Sequence, residues 1–155
     1  MKKAWVPAFA GMTAVVLGSL MLAAPAVRAE PEEDLERQAV MAQRFVPFDS
    51  GGGEGWENAF PTPIFRQAAT GKPEGVPLAL KAGSYMIVVL CNCQAMDVTL
   101  VAHSGDMIAP LRKNDQAAMY SIDVPAAGDY LVGVDMNDCD EKACDIGVKV
   151  YRKKS

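Results

Sequence analysis

Seven short runs of strand-forming residues fill the second half of this 155-residue chain, and turn-forming residues separate them. Residues 81–83, 104–106, 113–115 and 125–128 supply Gly, Asn, Asp and Pro at the breaks. Runs repeated at a spacing of roughly ten residues, with no long helix between them, are typical of an antiparallel β-sandwich. We therefore predict an all-β fold with strands over 76–80, 84–91, 97–103, 107–112, 118–124, 129–136 and 145–152.

The last two runs show the clearest alternation. Every second residue is apolar from Tyr130 to Val134, and again from Ile146 to Val150. A period of two places those side chains on one face of a strand. We expect each of these two strands to bury one side only.

The first 29 residues have the pattern of a secretory signal peptide. Lys2 and Lys3 precede an uncharged stretch over 4–26, and Val27-Arg28-Ala29 supplies small residues for a cleavage site. A retained membrane anchor is the alternative, because this stretch is long enough to span a bilayer. Interruptions by Pro and Gly favour cleavage near Ala29. We expect a periplasmic or secreted protein that touches the membrane only through an uncleaved leader.

The charge of the chain argues against a nucleic-acid partner. Its 15 basic residues include Lys2, Lys3 and Arg28, whereas all 19 acidic residues lie beyond the predicted leader. Loss of the leader therefore changes the net charge from −4 to −7, three positive charges fewer. An acidic chain repels phosphate backbones. The single histidine, His103, also excludes a multi-histidine zinc site.

The four cysteines form two close pairs, Cys91 with Cys93 and Cys139 with Cys144. An even number in an oxidising compartment indicates disulfides rather than metal ligands. A Cys139–Cys144 bridge closes easily over the intervening loop, whereas Cys91–Cys93 needs a local bend. Cross-pairing between the two clusters is the remaining option. These four cysteines are the predicted site residues, as disulfide partners.

Residues 30–46 are predicted to form one short amphipathic helix. Pro31 suits the first turn, and the acidic residues at 32–34 suit the positive end of the helix dipole. Leu35, Ala39 and Ala42, with Phe45 or Val46, recur at helical spacing.

Residues 47–75 are rich in Gly and Pro and are predicted to form an irregular linker before a β-sandwich over 76–152. Trp56, Phe60, Ile64 and Phe65 are apolar points in this linker that could dock onto another surface.

Three segments within residues 76–151 resemble the bacterial pre-peptidase C-terminal domain family. They are an "AG.Y" turn over 80–85, a strand that opens at Asp97, and the segment over 124–134, which reads Val-Pro-Ala-Ala-Gly-Asp-Tyr-Leu-Val-Gly-Val. The resemblance implies a jelly-roll-like sandwich of the kind attached to secreted peptidases. The cysteine clusters resemble those of stand-alone exported versions, and the resemblance implies no catalytic residue.

No catalytic, cofactor-binding or metal residue is assigned from the sequence. His103 ends a predicted strand beside a turn, and no nucleophile is selected to accompany it. Asp97 opens a strand, where an aspartate more often hydrogen-bonds a turn than ligates a cation. An acidic stretch over 135–145 carries oxygen ligands of the kind that calcium prefers, but Asp140 stands where an EF-hand loop requires Gly. The residues of this stretch are Asp135, Asn137, Asp138, Asp140, Glu141 and Asp145.

These observations predict an exported, non-catalytic binding or accessory module that needs no cofactor. Its partner would be an envelope protein or ligand that the sequence does not name. The alternative hypothesis is a redox- or calcium-responsive envelope protein that uses the Cys91/Cys93 pair or the acidic loop over 135–145. A third hypothesis, a subunit of a larger envelope complex, rests on Trp56 and Phe60 in the linker.

Overall fold

The computed structural model describes residues 31–51, 55–102, 104–140 and 142–155. The predicted leader lies outside these residues. The described residues form two helices followed by nine strands. The elements are α1 (Pro31–Gln43), α2 (Val46–Gly51), β1 (Trp56–Asn58), β2 (Ile64–Ala68), β3 (Glu74–Leu80), β4 (Gly83–Cys91), β5 (Ala95–Ala102), β6 (Met107–Asp115), β7 (Ala117–Val124), β8 (Gly128–Asp138) and β9 (Cys144–Lys153).

The strands form two antiparallel sheets that pack face to face as a β-sandwich. In sheet I, β1 and β2 both pair with β9, which is followed by β4 and then β7. Sheet II has the order β3-β8-β5-β6. All seven strands predicted from the sequence are present, so the all-β sandwich is confirmed.

The main core lies between the two sheets. Ile87 and Ile146 from sheet I meet Leu100 and Val132 from sheet II, and all four side chains are fully buried. Aliphatic side chains at alternate positions supply most of this cluster, as expected when each sheet turns one face inward. Strand β8 follows the prediction, since its inward residues are buried and its outward residues are largely exposed.

Strand β9 departs from the prediction, because it is buried on both sides from Ile146 to Tyr151. The reason is a second apolar cluster on the outer face of sheet I. In it, Met41 and Phe45 pack over Val88 and neighbouring side chains. Both belong to residues 31–51, called here the helical segment, which comprise α1, α2 and the turn between them. The helical segment therefore forms a partial third layer.

The predicted helix is present as α1, but only the C-terminal part of the predicted contact face, at Ala42 and Phe45, is half-buried or buried. Leu35 is 66% exposed and Ala39 is also exposed, whereas Met41 and Phe45 are buried. Phe45 lies directly on the backbone of Gly147: a Cβ added there would be 2.8 Å from the Phe45 ring. The contact with sheet I is made by Met41, near the end of α1, and by Phe45, just after it. The first half of α1 covers no apolar surface of the sheet.

Residues 47–75 contain more regular structure than the sequence indicates. Short strands β1 and β2 extend the edge of sheet I, with Trp56 paired to Lys153 and Ile64 paired to Val148. The expectation that the apolar residues of this segment dock onto another surface is confirmed. Trp56 and Phe65 pack against the outer cluster, and Phe60 and Ile64 pack against the main core. Strands of three and five residues are too short to show alternation in a sequence.

Candidate binding surface

The outer face of sheet II is the broad sheet surface that the helical layer leaves exposed. Its residues alternate with the core residues of β3, β8 and β5, and each is exposed or half-exposed. Strands paired on both sides, such as β8 and β5, hold such residues rigidly. This face therefore presents a fixed pattern of side chains.

An apolar strip crosses the outer face of sheet II. The strand register places Pro77 beside Leu131, and Leu131 beside Val101. Leu131 is 40% exposed, Pro77 is exposed and Val101 is half-exposed. A large apolar side chain that is exposed in the middle of a sheet is more informative than one at a loop.

The next row of residues across the outer face of sheet II is almost flat. Gly75 lies beside Gly133, which lies beside Thr99. A Cβ at Gly133 would be 2.6 Å from Thr99 Oγ1, and one at Gly75 would be 3.1 Å from Leu131 Cδ1. The side chains of Thr99 and Leu131 therefore lean over the two glycines, which leaves a flat surface that an opposing protein can approach closely.

An acidic row bounds this surface. Asp97 stands directly opposite Asp135 on the neighbouring strand, and Asn137 Nδ2 donates a hydrogen bond to Asp97 Oδ1 at 2.6 Å. Like charges placed opposite each other on a sheet are unfavourable. Asp135 is exposed and has no hydrogen-bond or ion-pair partner among the side chains that the structure describes. The distance from this row to the apolar strip is about 14 Å along the strands.

A cleft of about 460 Å³ lies beneath α1. The polar groups on its floor are already paired. Arg44 Nη1 donates to the carbonyl of Cys91, and Asp145 accepts from Asn92 Nδ2 at 3.3 Å and from Gln67 Nε2 at 3.0 Å. The Arg44 bond attaches the helical segment to sheet I, and the other two join Asp145 of β9 to its neighbours in β2 and in the loop after β4. The lining residues are Glu33, Glu36, Arg37, Val40, Met41, Arg44, Asn92 and Asp145.

A partly buried ion pair fixes α2 on the same sheet. Lys149 is 8% exposed, and no other charged group among the described side chains is buried. Its Nζ donates to Asp49 Oδ1, which also accepts from the Tyr151 hydroxyl at 2.9 Å. Burial raises the pKa of Tyr151 well above its ordinary value, and the hydrogen bond to Asp49 and the charge of Asp49 raise it further. The hydroxyl therefore stays protonated and serves as a donor.

The cysteines pair within each cluster. Cys91 bonds to Cys93 with 5.2 Å between their Cα atoms, and Cys139 bonds to Cys144 with 5.9 Å. The predicted bend is present at residues 92–94, immediately after β4. Asn92 N donates to the Asp145 carbonyl at 3.2 Å, so both disulfides lie at one end of the sandwich. Cys91, Cys93 and Cys144 are buried.

The described acidic residues over 135–145, on which the alternative hypothesis of a calcium site rests, do not lie together in the structure. Asp135 and Asn137 point outward from β8, Asp140 accepts a hydrogen bond from Gln94, and Asp145 lies beneath α1. The described residues bring together no group of three or more metal-ligating side chains. His103 and Glu141 lie outside the described residues.

Sequence reasoning missed the outer face of sheet II as a site. Its members are Gly, Pro, Thr, Val and Leu residues from three strands that are far apart in the chain. Only the strand register brings them together. The exposed Leu131, in the middle of an alternating strand, was the one signal in the sequence that could have indicated it.

Within the described ranges, no helix combines the length and the apolar character needed to cross a bilayer.

No protein-family model matches this chain, so the pre-peptidase resemblance stays a prediction. No curated protein matches it either.

Three solved structures are similar in fold. A periplasmic inhibitor of g-type lysozyme from Aeromonas hydrophila is 16% identical, with a TM-score of 0.42, over 64% of this chain and 89% of that one. A mutant of a family 29 carbohydrate-binding module is 13% identical, with a TM-score of 0.38, over 64% and 76% of the two chains. A family 36 carbohydrate-binding module, solved with calcium and xylotriose, is 11% identical, with a TM-score of 0.30, over 66% and 91%. All three likenesses are distant, and the fold assignment rests on the strand pairings above.

Proposed function

We propose that this chain is an exported, non-catalytic protein-binding module whose binding surface is the outer face of sheet II. The observations that carry the proposal are the exposed strip through Leu131 and, about 14 Å away along the strand, the exposed carboxylate of Asp135. The corresponding face of sheet I is covered by Met41 and Phe45. A flat apolar patch with a charged rim is the usual composition of a protein–protein interface.

The proposed partner is a protein surface that carries Lys or Arg beside apolar side chains. The charged residues at the outward positions of β3, β5 and β8 are all carboxylates, namely Asp97, Asp129 and Asp135. Such a surface attracts a basic partner and steers its approach.

A protein is favoured over a saccharide or a nucleic acid as the partner because of the aromatic residues. Every aromatic side chain among the described residues is buried or half-buried, and all four tyrosines are buried. Stacking of bases needs an exposed ring, and aromatic rings are also the usual platform for flat ligands.

The leader pattern and the two disulfides support the proposed export, since disulfides persist in oxidising compartments. An accessory role of the kind implied by the pre-peptidase resemblance is compatible with this location. The burial of Cys91, Cys93 and Cys144 supports a structural role for the bridges over the redox alternative.

The test is an affinity capture from an envelope extract of the source cells, with matched variants of the chain. Leu131→Lys adds a repulsive charge to the strip, and Asp135→Asn removes the unpaired carboxylate. Val40→Lys and Glu57→Gln make the same chemical changes on α1 and β1, where Val40 is 59% exposed and Glu57 is exposed. The proposal predicts a protein retained by the unaltered chain and by the two controls, and lost with Leu131→Lys. Asp135→Asn should weaken retention severalfold and reduce its dependence on salt.

Four results would count against the proposal. One is equal retention by all variants. Another is loss of retention with Val40→Lys, which would place the binding site in the cleft beneath α1. The third is release of the captured protein by xylotriose, which would indicate a saccharide site. The fourth is retention of no protein at all, which counts against a binding function.

A further inference from the structure

The two sheets have four edges in the described part of the chain, and three of them carry features that block strand addition. One edge of sheet I is divided between β1 and β2, which are only three and five residues long. In sheet II, β3 contains Pro77, and β6 contains Pro110 and shifts register three times against β5. Short strands, prolines and bulges are the usual means of protecting a sheet edge.

The fourth edge, β7, has none of these features. It is eight residues long, contains no proline and no lysine, and pairs with β4 without a register shift. Met119 is 50% exposed on this strand. A long, regular and weakly charged edge is a template for another strand.

The hydrogen bonds identify which groups of β7 face outward. Cys91 N donates to the carbonyl of Gln116, which stands opposite it when the β4–β7 register is continued. Antiparallel pairs alternate between hydrogen-bonded and non-hydrogen-bonded types, so the even-numbered residues of β7 bond to β4. The N–H and C=O groups of Met119, Ser121 and Asp123 therefore point to the free edge.

This edge is also accessible. Strands β6 and β7 meet at Gln116 and then separate, which leaves a space of about 300 Å³ between them. Ile108 and Ala109 line it on one side, and Met119 and Ser121 line it on the other. Strand β6 therefore does not cover the outward groups of β7.

We propose that two copies of the chain associate by antiparallel pairing of their β7 edges, which joins sheet I of one copy to sheet I of the other. Pairing centred on Tyr120 places Met119 opposite Ser121 of the partner subunit, and Ala117 opposite Asp123 of the partner subunit. It forms about eight backbone hydrogen bonds, two for each hydrogen-bonded pair.

A second copy fits this edge because β7 is complementary to itself. Its one charged residue, Asp123, lies near one end, so antiparallel pairing separates the two carboxylates. Ser84 Oγ also donates to Asp123 Oδ1 at 2.6 Å, which reduces the charge presented at the edge. The inward residues Tyr120 and Ile122 are apolar and continue the core pattern across the new pairing.

The test is sedimentation equilibrium of the full chain in the form that cells produce, over roughly 1–200 µM, the range suited to a small interface. Ser121→Pro removes an outward N–H without breaking the β4–β7 ladder, and Ser121→Ala keeps that N–H. The proposal predicts a mass that rises toward two chains for the unaltered protein and for Ser121→Ala. Ser121→Pro should remain a single chain, with a dimer dissociation constant raised at least tenfold.

Ser121→Lys provides a second variant in case the proline lowers the melting temperature. It places a charge on the exposed side of the edge and should also prevent association. A single chain at every concentration of the unaltered protein would overturn the proposal. Dimerisation of both Ser121→Pro and Ser121→Lys, or its loss with Leu131→Lys instead, would also overturn it.

Discussion

The docking of the helical segment onto sheet I makes a sharp prediction about Gly147. An alanine there would place its Cβ 2.8 and 2.9 Å from two ring carbons of Phe45 and 3.0 Å from Met41 Cγ. Carbon atoms pack best at about 3.5–4.0 Å, so the ring must retreat by about 0.7 Å or more. Phe45 is completely buried and Met41 is 2% exposed, so neither side chain can turn into solvent.

The cost of that retreat follows from what the ring is attached to. Phe48 N and Asp49 N both donate to the carbonyl of Phe45, at 2.9 and 3.0 Å. Moving Phe45 therefore moves α2 and weakens the contact between Asp49 and Lys149. Overpacking of a core costs about 1–3 kcal/mol. For a domain of this size, we expect Gly147→Ala to lower the melting temperature by roughly 3–10 °C.

Chemical denaturation and thermal melting, followed by circular dichroism, measure this effect. Gly75→Ala is the matched control. The three atoms nearest to its Cβ would all belong to Leu131, with Cδ1 at 3.1 Å, and that side chain is 40% exposed and can turn toward solvent. We expect the control to change the free energy of unfolding by less than about 0.5 kcal/mol. The contact is tested directly by a double-mutant cycle, since Gly147→Ala should cost almost nothing in a Phe45→Ala background. An equal cost in both backgrounds, or no cost in either, would refute the reasoning.

Two further predictions concern the buried groups. Tyr151 has a folded-state pKa above its unfolded value of 10.0, so its contribution to stability is complete below pH 10 and is lost as the pH rises above that value. Urea midpoints measured from pH 9 to 11.5 should therefore fall more steeply for the unaltered chain than for Tyr151→Phe, and parallel curves would contradict the assignment. The disulfides are predicted to resist reductant in the folded state, because Cys91, Cys93 and Cys144 are buried. Mass spectrometry after treatment with dithiothreitol and a thiol-alkylating reagent should show no adduct without denaturant and four adducts with it; adducts on the folded chain would favour the redox alternative.

The strands of the sandwich could be predicted from the sequence because their alternation is local. Tyr130, Val132 and Val134 recur at every second position, and β8 is buried on that side alone. The two-sided burial of β9 was not predictable, because it depends on Phe45, which is about a hundred residues away in the chain. Gly147 is the local sign of that contact, but a glycine in a strand has several explanations.

The contact face of α1 was predicted correctly at Phe45 and wrongly at Leu35 and Ala39, for a related reason. Helical spacing alone selects Leu35 and Ala39, which are exposed, because it cannot say how much of a helix meets the sheet. The cysteine pairing was left open by the sequence, and the bend after β4 decides it. The proposed binding surface depends on the register of three strands, which no local pattern specifies.

The central claim, that the chain binds a protein through the outer face of sheet II, is tested most directly by nuclear magnetic resonance. The isotopically labelled chain would be titrated with the protein captured from the envelope extract. We predict the largest amide shift changes at Thr99, Val101 and Leu131, with loss of these changes in the Leu131→Lys variant. Shift changes confined to α1 and the Asn92 loop, or to β7, would contradict the claim.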